Sequence, residues 1–256
     1  MYVSAEPIDA TGAIPAATVI LSRDSAAGIE ILVIERAKGM GFAGGAVAFP
    51  GGKVDAGDHL SDAATLSGFD ALERDEAAGR ITAAREAFEE AGVLLSAGPP
   101  VSVEERALLR PLSDRHELDF ADLLARIGHR LDAAALTPFA RWLPPVGLHT
   151  RFDTRFYLAV LPDGEHHLAD GHEAVASRWA RPADLLAELA AGSISLLFPT
   201  RCNIARLAQF STVAALMADT TPPPFIQPQI AGQRLSIPEG VGYPYTSEDL
   251  TRTRRE

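Results

Sequence analysis

Three glutamates and one arginine lie together in the segment Arg85-Glu86-Ala87-Phe88-Glu89-Glu90-Ala91-Gly92-Val93. In a helix of 3.6 residues per turn, Glu86, Glu89 and Glu90 share one face, and the opposite face is apolar. Like charges three or four residues apart destabilise a helix by about 0.2–0.5 kcal/mol per pair. A bound divalent cation removes this repulsion. Mg²⁺ takes one or two carboxylates and completes its shell with water and substrate phosphates, so the pattern indicates phosphate chemistry.

A second interpretation of the same segment is a solvated, Glu-rich helix face on which Arg85 pairs with Glu89 one turn away. The residues upstream argue against it. An apolar strand end at Ala48-Phe49 leads into the turn Pro50-Gly51-Gly52, which is followed by the acids Asp55 and Asp58. Such a turn is typical of a site where the backbone approaches a ligand closely.

Together the two segments resemble the Nudix hydrolases, whose box reads G-x5-E-x7-R-E-U-x-E-E-x-G-U with U aliphatic. Gly52 fits the first glycine, Asp58 stands at the first glutamate, and residues 85–93 match the second half, with Ala87 as a small U. Asp58 and Arg85 are separated by 26 residues, 19 more than in the pattern. Because a longer surface loop adds little closure entropy, the two halves can still meet. A similar insertion is found in peroxisomal coenzyme A diphosphatases and their bacterial relatives, which Arg151–Tyr157 and Glu173–Trp179 also resemble.

The resemblance implies a metal-dependent hydrolase of a diphosphate linkage that uses Mg²⁺ or Mn²⁺. Glu89 and Glu90 are the expected direct ligands, with the carbonyl of Gly51. Glu86 is a third ligand or the group that orients or deprotonates water. Arg85 is expected to hold the carboxylates by a bidentate pair. Outside the box, Glu173 is the candidate for a further base or ligand, whereas Asp58, one methylene shorter than glutamate, is given no role.

The substrate prediction depends on a coenzyme A signature, LLTxR-[SA]-x3-R-x3-G-x3-FPGG, which the chain resembles upstream of the box. Leu32–Ala37 begins it, and Gly45 and Phe49–Gly52 follow at matching offsets, but Gly41 replaces the second arginine. The residues assigned to substrate binding are Arg36, Phe49, Arg151 and Arg155. Coenzyme A or acyl-coenzyme A is the leading substrate. ADP-ribose, NADH, another nucleotide, or a non-catalytic Nudix module that binds a metabolite are the alternatives.

Composition narrows the class of protein. With 256 residues, 47% of them hydrophobic, the chain can bury a substantial core. A formal net charge of −11 with dispersed acids argues against a nucleic-acid partner. Cys202 is the only cysteine, which excludes an internal disulfide. We expect no secretory signal, no membrane span, no C-terminal peroxisomal address and a cytoplasmic location. A homodimer is left open, with Phe225 and Ile226 as candidate contacts.

The hydrophobic pattern predicts an α/β domain: a Nudix-type α/β/α sandwich with a mixed sheet and helical insertions. We assign residues 1–220 to this domain, with insertions at about 59–81 and 102–135, and residues 221–256 to a Pro-rich extended tail. The first insertion is expected to be helical from the spacing of Ala63, Leu66, Phe69 and Leu72. The predicted strands are 16–21, 29–34, 46–49, 140–143, 156–160 and 174–180, with a hairpin-like turn at Pro162-Asp163-Gly164. The predicted helices outside the insertions are 82–91, 182–191 and 199–218.

One further motif, Gly39-Met40-Gly41-Phe42-Ala43-Gly44, matches the dinucleotide-binding pattern GxGxxG. The residues that follow it form a predicted strand, whereas a dinucleotide site requires a helix there. The segment is therefore interpreted as a glycine loop beside the ligand.

Overall fold

The computed structural model describes residues 1–39, 44–59, 64–169, 171–172 and 174–250. The strands are β1 (Ile14–Ser25), β2 (Gly28–Arg36), β3 (Val47–Ala48), β4 (Gly51–Lys53), β5 (Leu66–Ser67), β6 (Leu131–Asp132), β7 (Thr137–Trp142), β8 (Phe152–Val160), β9 (Ala174–Ala180), β10 (Phe225–Ile226), β11 (Gln229–Ala231), β12 (Arg234–Ser236) and β13 (Ser247–Asp249). The helices are α1 (Arg74–Ala91), α2 (Val103–Asp114), α3 (Phe120–Ile127), α4 (Pro182–Ala190), α5 (Phe198–Leu207) and α6 (Val213–Met217), with 3₁₀ turns at Ala56–His59 and Ala133–Ala135.

An eight-stranded mixed sheet forms the centre of the molecule, in the order β10-β7-β8-β1-β2-β3, with β4 also paired to β1 and β9 to β2. Strand β1 runs parallel to β8, and its other edge is shared by two antiparallel strands. Residues 16–18 pair with β4, whereas residues 22–25 pair with β2. Gly51 and Gly52, predicted as a turn, therefore form a strand that pairs with the first half of β1.

Helices cover both faces of this sheet because the side chains of its strands alternate between two cores. Val19 and Leu21 of β1 pack with α1, α2 and α3 on one face. Ile20 points to the other face, where α4, α5 and α6 pack. Helix α1 lies across β1 on an apolar stripe of mostly alanines, which permits close packing. These three layers confirm the predicted α/β class with a mixed sheet.

The first expected helical segment has a different structure. Helix α1 begins at Arg74, eight residues before the predicted start, while residues 64–73 form turns and the short strand β5. Gly68 adopts φ +74°, a left-handed conformation that ends any helix there. Phe69 and Leu72 still pack against the core, so their spacing reflected burial and not a helix. Ala63 lies outside the described residues.

The segment at 102–135 contains the helices that its periodicity predicts. The hydroxyl of Ser102 accepts a hydrogen bond from Glu105 N at 3.1 Å and caps α2. Helix α3 ends at Gly128, which has φ +69°. Strand β6 follows and pairs in parallel with β5, so the two segments predicted as insertions pack against each other.

Two further predictions about connections were wrong. Strands β8 and β9 do not form a hairpin, because β8 pairs with β1 and β7 while β9 pairs with β2. The helix predicted at 199–218 is divided into α5 and α6. Thr212 caps α6 by accepting from Ala215 N at 3.1 Å, and Asp24 accepts from Val213 N at 2.9 Å. These polar contacts begin a new helix where periodicity alone suggests continuity.

The described part of the Pro-rich tail, residues 221–250, packs onto the domain. Strand β10 extends the central sheet beside β7, and β11, β12 and β13 form a small antiparallel sheet. Ile226 is 1% exposed within the chain's own core, so its side chain is not available for a subunit contact. Among the described residues, no helix has both the length and the apolar character needed to cross a bilayer.

Tyr243 anchors the tail. Its ring lies 5.4 Å from that of Trp142, and its hydroxyl accepts from Trp142 Nε1 at 3.2 Å and donates to Asn203 Oδ1 at 2.8 Å. Replacing Tyr243 with Phe leaves two buried polar atoms without this partner. We expect it to lower the free energy of unfolding by about 2 kcal/mol in urea titrations. Tyr243→Ala should lower it by about 3–5 kcal/mol.

The matched control is Tyr245→Phe, because Tyr245 is 39% exposed and its ring contact with Arg201 does not need the hydroxyl. We expect a change within about 0.5 kcal/mol. Equal effects of the two Tyr→Phe changes would show that Tyr243 does not anchor the tail.

Candidate functional site

The second half of α1 carries the acidic cluster, which is buried and not solvated. Glu86, Glu89 and Glu90 are 8%, 7% and 3% exposed, and Arg85 is 5% exposed. The interpretation of this segment as a solvated helix face is therefore wrong. Gly92 ends the helix with φ +69° and donates to Phe88 O at 2.9 Å. The cluster thus lies in the last turns of a helix whose end is fixed.

Arg85 is the centre of the cluster. Its Nε and Nη2 donate to the two carboxylate oxygens of Asp58 at 3.1 and 3.0 Å. Its Nη1 donates to Glu86 Oε1 at 2.9 Å and to Glu89 Oε2 at 2.7 Å. Nη2 also donates to Lys53 O at 2.9 Å. Arg85 therefore holds the carboxylates, as the sequence predicts, and its bidentate partner is Asp58.

Asp58 has a role that the sequence analysis did not assign. The 3₁₀ turn Ala56–His59 directs its side chain toward α1, where it is 1% exposed. Besides Arg85, its Oδ2 accepts from Thr82 Oγ1 at 2.8 Å and from Asp55 N at 2.9 Å. The 3₁₀ turn brings the Asp58 carboxylate within reach of Arg85, although its side chain is one methylene shorter than that of glutamate. The two halves of the box, 26 residues apart, are thus joined by a buried ion pair.

The Gly51-Gly52 strand fits against the cluster because it has no side chains. Gly51 N donates to Glu90 Oε2 at 2.8 Å. A Cβ atom on Gly52 would overlap the Glu86 carboxylate, with only 2.6 Å to its Cδ. A Cβ atom on Gly51 would lie 2.6 Å from Ala17 O, in the neighbouring strand. Both positions therefore require glycine, one for the site and one for the sheet.

Helix α2 adds contacts to Glu89 that sequence reasoning missed. Ser113, 1% exposed, donates its Oγ–H to Glu89 Oε1 at 2.5 Å. Arg110 donates to the main-chain oxygen of Glu89 through Nε and Nη2 at 3.0 and 2.6 Å. These contacts could have been anticipated from the sequence, because polar residues recur at helical spacing on the side of α2 that faces the core.

Burial changes the charge state of these groups. Burial raises the pKa of Glu86 well above its ordinary value, and repulsion from Glu90 and Glu89 adds to the rise, while Arg85 opposes it. Burial also raises the pKa of Glu89, against the effects of Arg85 and Ser113. For Arg85, burial would lower the pKa, but the charges of Glu86, Asp58 and Glu89 raise it. Ionisation of Glu86 and Glu89 is therefore less favourable in this site than in water.

Of the predicted substrate contacts, Arg36 is the one beside the cluster. Its Nη1 lies 4.0 Å from Glu90 Oε1, and its Nε is buried without a hydrogen-bond partner among the described residues. Phe49 was assigned wrongly, because it is 3% exposed and packs in the core on the α4 and α5 side of the sheet. It leaves no surface for a substrate.

The other two predicted arginines lie elsewhere. Arg151 donates to three backbone carbonyls, Pro144 O at 3.1 Å, Thr11 O at 3.1 Å and Asp9 O at 2.5 Å, which fix the N-terminal segment. Arg155 lies against the first half of α1, 3.8 Å from Glu76. At 1.5 Å per residue, Glu86 is about 15 Å further along the helix. The structure therefore does not bring either arginine to the acidic cluster. Glu173 lies outside the described residues.

The donor set of the cluster fits a divalent cation. Carboxylate and carbonyl oxygens are the ligands that Mg²⁺ and Mn²⁺ prefer, and one arginine paired with several carboxylates leaves an excess of negative charge. As placed, no three His, Cys, Asp or Glu side chains of the described residues converge closely enough to hold a metal ion. The glutamate oxygens instead accept from Arg85, Ser113 and Gly51 N.

A glutamate-bearing helix laid across a mixed sheet, with its carboxylates against a Gly-Gly strand and an Asp–Arg pair, defines a Nudix domain. The family model of the NUDT19 Nudix domain matches residues 67–207, and the chain belongs to this family.

Two curated relatives and one solved structure are similar to the chain. The acyl-coenzyme A diphosphatase NUDT19 of Gallus gallus is 30% identical over 236 residues, which cover 72% of this chain and 62% of that protein. The Homo sapiens protein of the same name is 29% identical, over 75% of this chain and 64% of its own length. The chain thus spans less than two thirds of these relatives. A crystal structure of a Nudix hydrolase from Alicyclobacillus acidocaldarius is 30% identical, covers 84% of this chain and 99% of its own, and has a TM-score of 0.69.

The two glycines of β4 should respond differently to alanine. For Gly51→Ala, the added methyl meets backbone atoms of β1, which cannot move without disturbing the sheet, so we expect about 2–3 kcal/mol of lost stability. For Gly52→Ala, it meets the Glu86 carboxylate, whose displacement breaks its hydrogen bond to Arg85 but leaves the sheet intact, so we expect a smaller loss of about 1–2 kcal/mol. Urea unfolding of both variants measures this. Gly39→Ala is the control, because no atom of the described residues lies within 4 Å of the added carbon. A larger loss for Gly52 than for Gly51 would contradict the packing described.

Proposed function

We propose that the chain is a divalent-cation-dependent hydrolase that cleaves the diphosphate linkage of coenzyme A or acyl-coenzyme A. The observation that carries the proposal is the buried cluster of Glu86, Glu89 and Glu90 beside the Gly51-Gly52 strand. Membership of the NUDT19 Nudix domain family supports it, as does the acyl-coenzyme A diphosphatase activity for which the two animal relatives are named.

In this proposal, Glu86, Glu89, Glu90 and the carbonyl oxygen of Gly51 hold Mg²⁺ or Mn²⁺. A bound cation of this kind supplies charge neutralisation at the phosphoryl oxygens and lowers the pKa of a bound water. Burial raises the pKa values of Glu86 and Glu89, and repulsion from Glu90 and Glu89 adds to the rise for Glu86. A bound cation would relieve the cost of ionising these groups. Cation binding to the folded chain also stabilises it by mass action.

The chain's own residues would position the reaction. Arg85 fixes Glu86 and Glu89 through one guanidinium nitrogen, which limits their freedom before substrate arrives. Glu86 would orient or deprotonate the attacking water, whose oxygen forms a new bond to one phosphorus. The bridging oxygen leaves with the other phosphate, so one water is consumed for each P–O bond broken. Glu173 remains a candidate for a further base or ligand.

Arg36 is the proposed contact for a substrate phosphate. Its Nε is buried and has no hydrogen-bond partner among the described residues, so it can donate to a phosphate oxygen, and an arginine binds phosphate through two parallel N–H groups. The coenzyme A signature is incomplete, since Gly41 replaces its second arginine. For this reason ADP-ribose, NADH and other nucleotide diphosphates are retained as alternative substrates. Retention of all three box glutamates favours an enzyme over a non-catalytic binding module.

Hydrolysis tests both the reaction class and the substrate. The protein is incubated with Mg²⁺ or Mn²⁺ and separately with coenzyme A, an acyl-coenzyme A, ADP-ribose, NADH and nucleoside triphosphates. We expect adenosine 3′,5′-bisphosphate and phosphopantetheine, or its acyl form, from the coenzyme A compounds, resolved by chromatography. Glu90→Gln should lower the rate at least about 100-fold with the fold intact, because it removes a proposed ligand.

The matched control is Glu188→Gln, a surface position paired with Arg178 on the opposite layer, which should retain the wild-type rate. Hydrolysis of every compound except the coenzyme A pair would refute the substrate and leave the class intact. A Glu90→Gln variant with wild-type turnover would refute the metal-site assignment.

A further inference from the structure

Helix α2 presents three polar residues, Arg106, Arg110 and Ser113, to the end of α1. They are four and three residues apart, so they lie along one side of α2. Leu109 lies between them and is 2% exposed in the core, which shows that this side faces the domain. Each of the three contacts α1 or the glycine that ends it.

The two arginines bind carbonyl oxygens in the last turn of α1. Arg110 donates twice to Glu89 O, and Arg106 Nη1 donates to Gly92 O at 3.1 Å. A helix leaves its last carbonyls unpaired and carries partial negative charge there, so the positive charges of the two arginine side chains are well placed. Arg106 is itself held by Glu165 through two hydrogen bonds of 2.6 Å. The backbone of Glu89 is therefore fixed by an element outside the box.

Ser113 fixes the side chain of the same glutamate. Its hydroxyl donates to Glu89 Oε1 at 2.5 Å, while Arg85 donates to Oε2 at 2.7 Å. With a donor on each oxygen, rotation of the carboxylate breaks at least one buried hydrogen bond. Ser113 is 1% exposed, so water cannot readily replace its hydroxyl.

We propose that Ser113 is a positioning residue for Glu89, and that α2 fixes the backbone of this glutamate and limits the orientations of its carboxylate before a divalent cation binds. The inference deepens the proposed function and rests on it, because the ligand concerned is the cation of that site. The segment at 102–135, which the Nudix pattern does not include, would thus support a ligand of the metal site. The hydroxyl acts through Glu89 and does not touch the substrate.

The test is Mn²⁺ binding to the metal-free full-length chain, measured by electron paramagnetic resonance, together with urea unfolding without metal. We expect Ser113→Ala to remain folded and to bind Mn²⁺ about tenfold more weakly, the usual effect of removing a partner that orients a ligand. The spectrum of the Mn²⁺ that does bind should also change.

Ser102→Ala is the matched control, because it makes the same chemical change at the other end of α2. It removes the cap to Glu105 N and should destabilise the chain while Mn²⁺ affinity stays within about twofold of wild type. Equal weakening in both variants would mean that α2 acts only through stability, and would overturn the inference. Wild-type affinity in Ser113→Ala would overturn it too, and leave the proposed function intact. Failure of the wild-type chain to bind Mn²⁺ would instead refute the proposed function and the inference with it.

Discussion

The guanidinium of Arg85 is the interaction on which the site depends. It lies almost fully buried and donates to Asp58, Glu86 and Glu89 at once. Charges taken out of water at this depth are strongly destabilising unless they are paired and hydrogen-bonded. Loss of any one carboxylate would leave the arginine undersatisfied, and loss of the arginine would leave several acids with uncompensated repulsion. The fold therefore has to bring the 3₁₀ turn, β4 and α1 together to within hydrogen-bond distance.

The long segment between Asp58 and Arg85 is tolerated because this ion pair joins its two ends and part of the segment packs on the domain. In the described part of the segment between Asp58 and Arg85, β5 pairs with β6 and Phe69 packs in the core under α1. Closure of a longer loop costs little, and these contacts offset it. The second segment, which contains α2, packs on the same end of α1 and contacts Glu89. Residues outside the box motif thus become part of the site's support.

The sequence predicted the parts of the structure that periodicity determines. The acidic face of α1 and the main strands could be predicted, because helical spacing and strand alternation are local properties. The turn predicted at Gly51-Gly52 is instead the short strand β4, because both glycines pair with β1. The helix expected around Leu66 does not form. The apolar residues there recur at helical spacing because they pack against the core, and the described residues 64–73 form turns and the short strand β5. The start of α1 was predicted at residue 82 and not at Arg74, because the residues before 82 were assigned to a separate helical insertion.

Tertiary partners could not be predicted. The pairing of Asp58 with Arg85 and of Ser113 with Glu89 depends on how separate segments pack, which spacing does not encode. Arginines were the least predictable residues. Arg36 lies at the cluster, whereas Arg151 binds backbone carbonyls and Arg155 packs against the first half of α1. A charged side chain at the end of a strand has the same appearance in sequence whether it binds a ligand or stabilises the fold.

Anomalous diffraction from a crystal of the wild-type chain soaked with Mn²⁺ shows whether the acidic cluster is a metal site. We expect an anomalous peak bound by the carboxylates of Glu86, Glu89 and Glu90 and by the carbonyl oxygen of Gly51, while Arg85 keeps its bidentate pair with Asp58. An acidic cluster that stays empty of manganese, or a peak bound elsewhere on the molecule, would contradict this expectation.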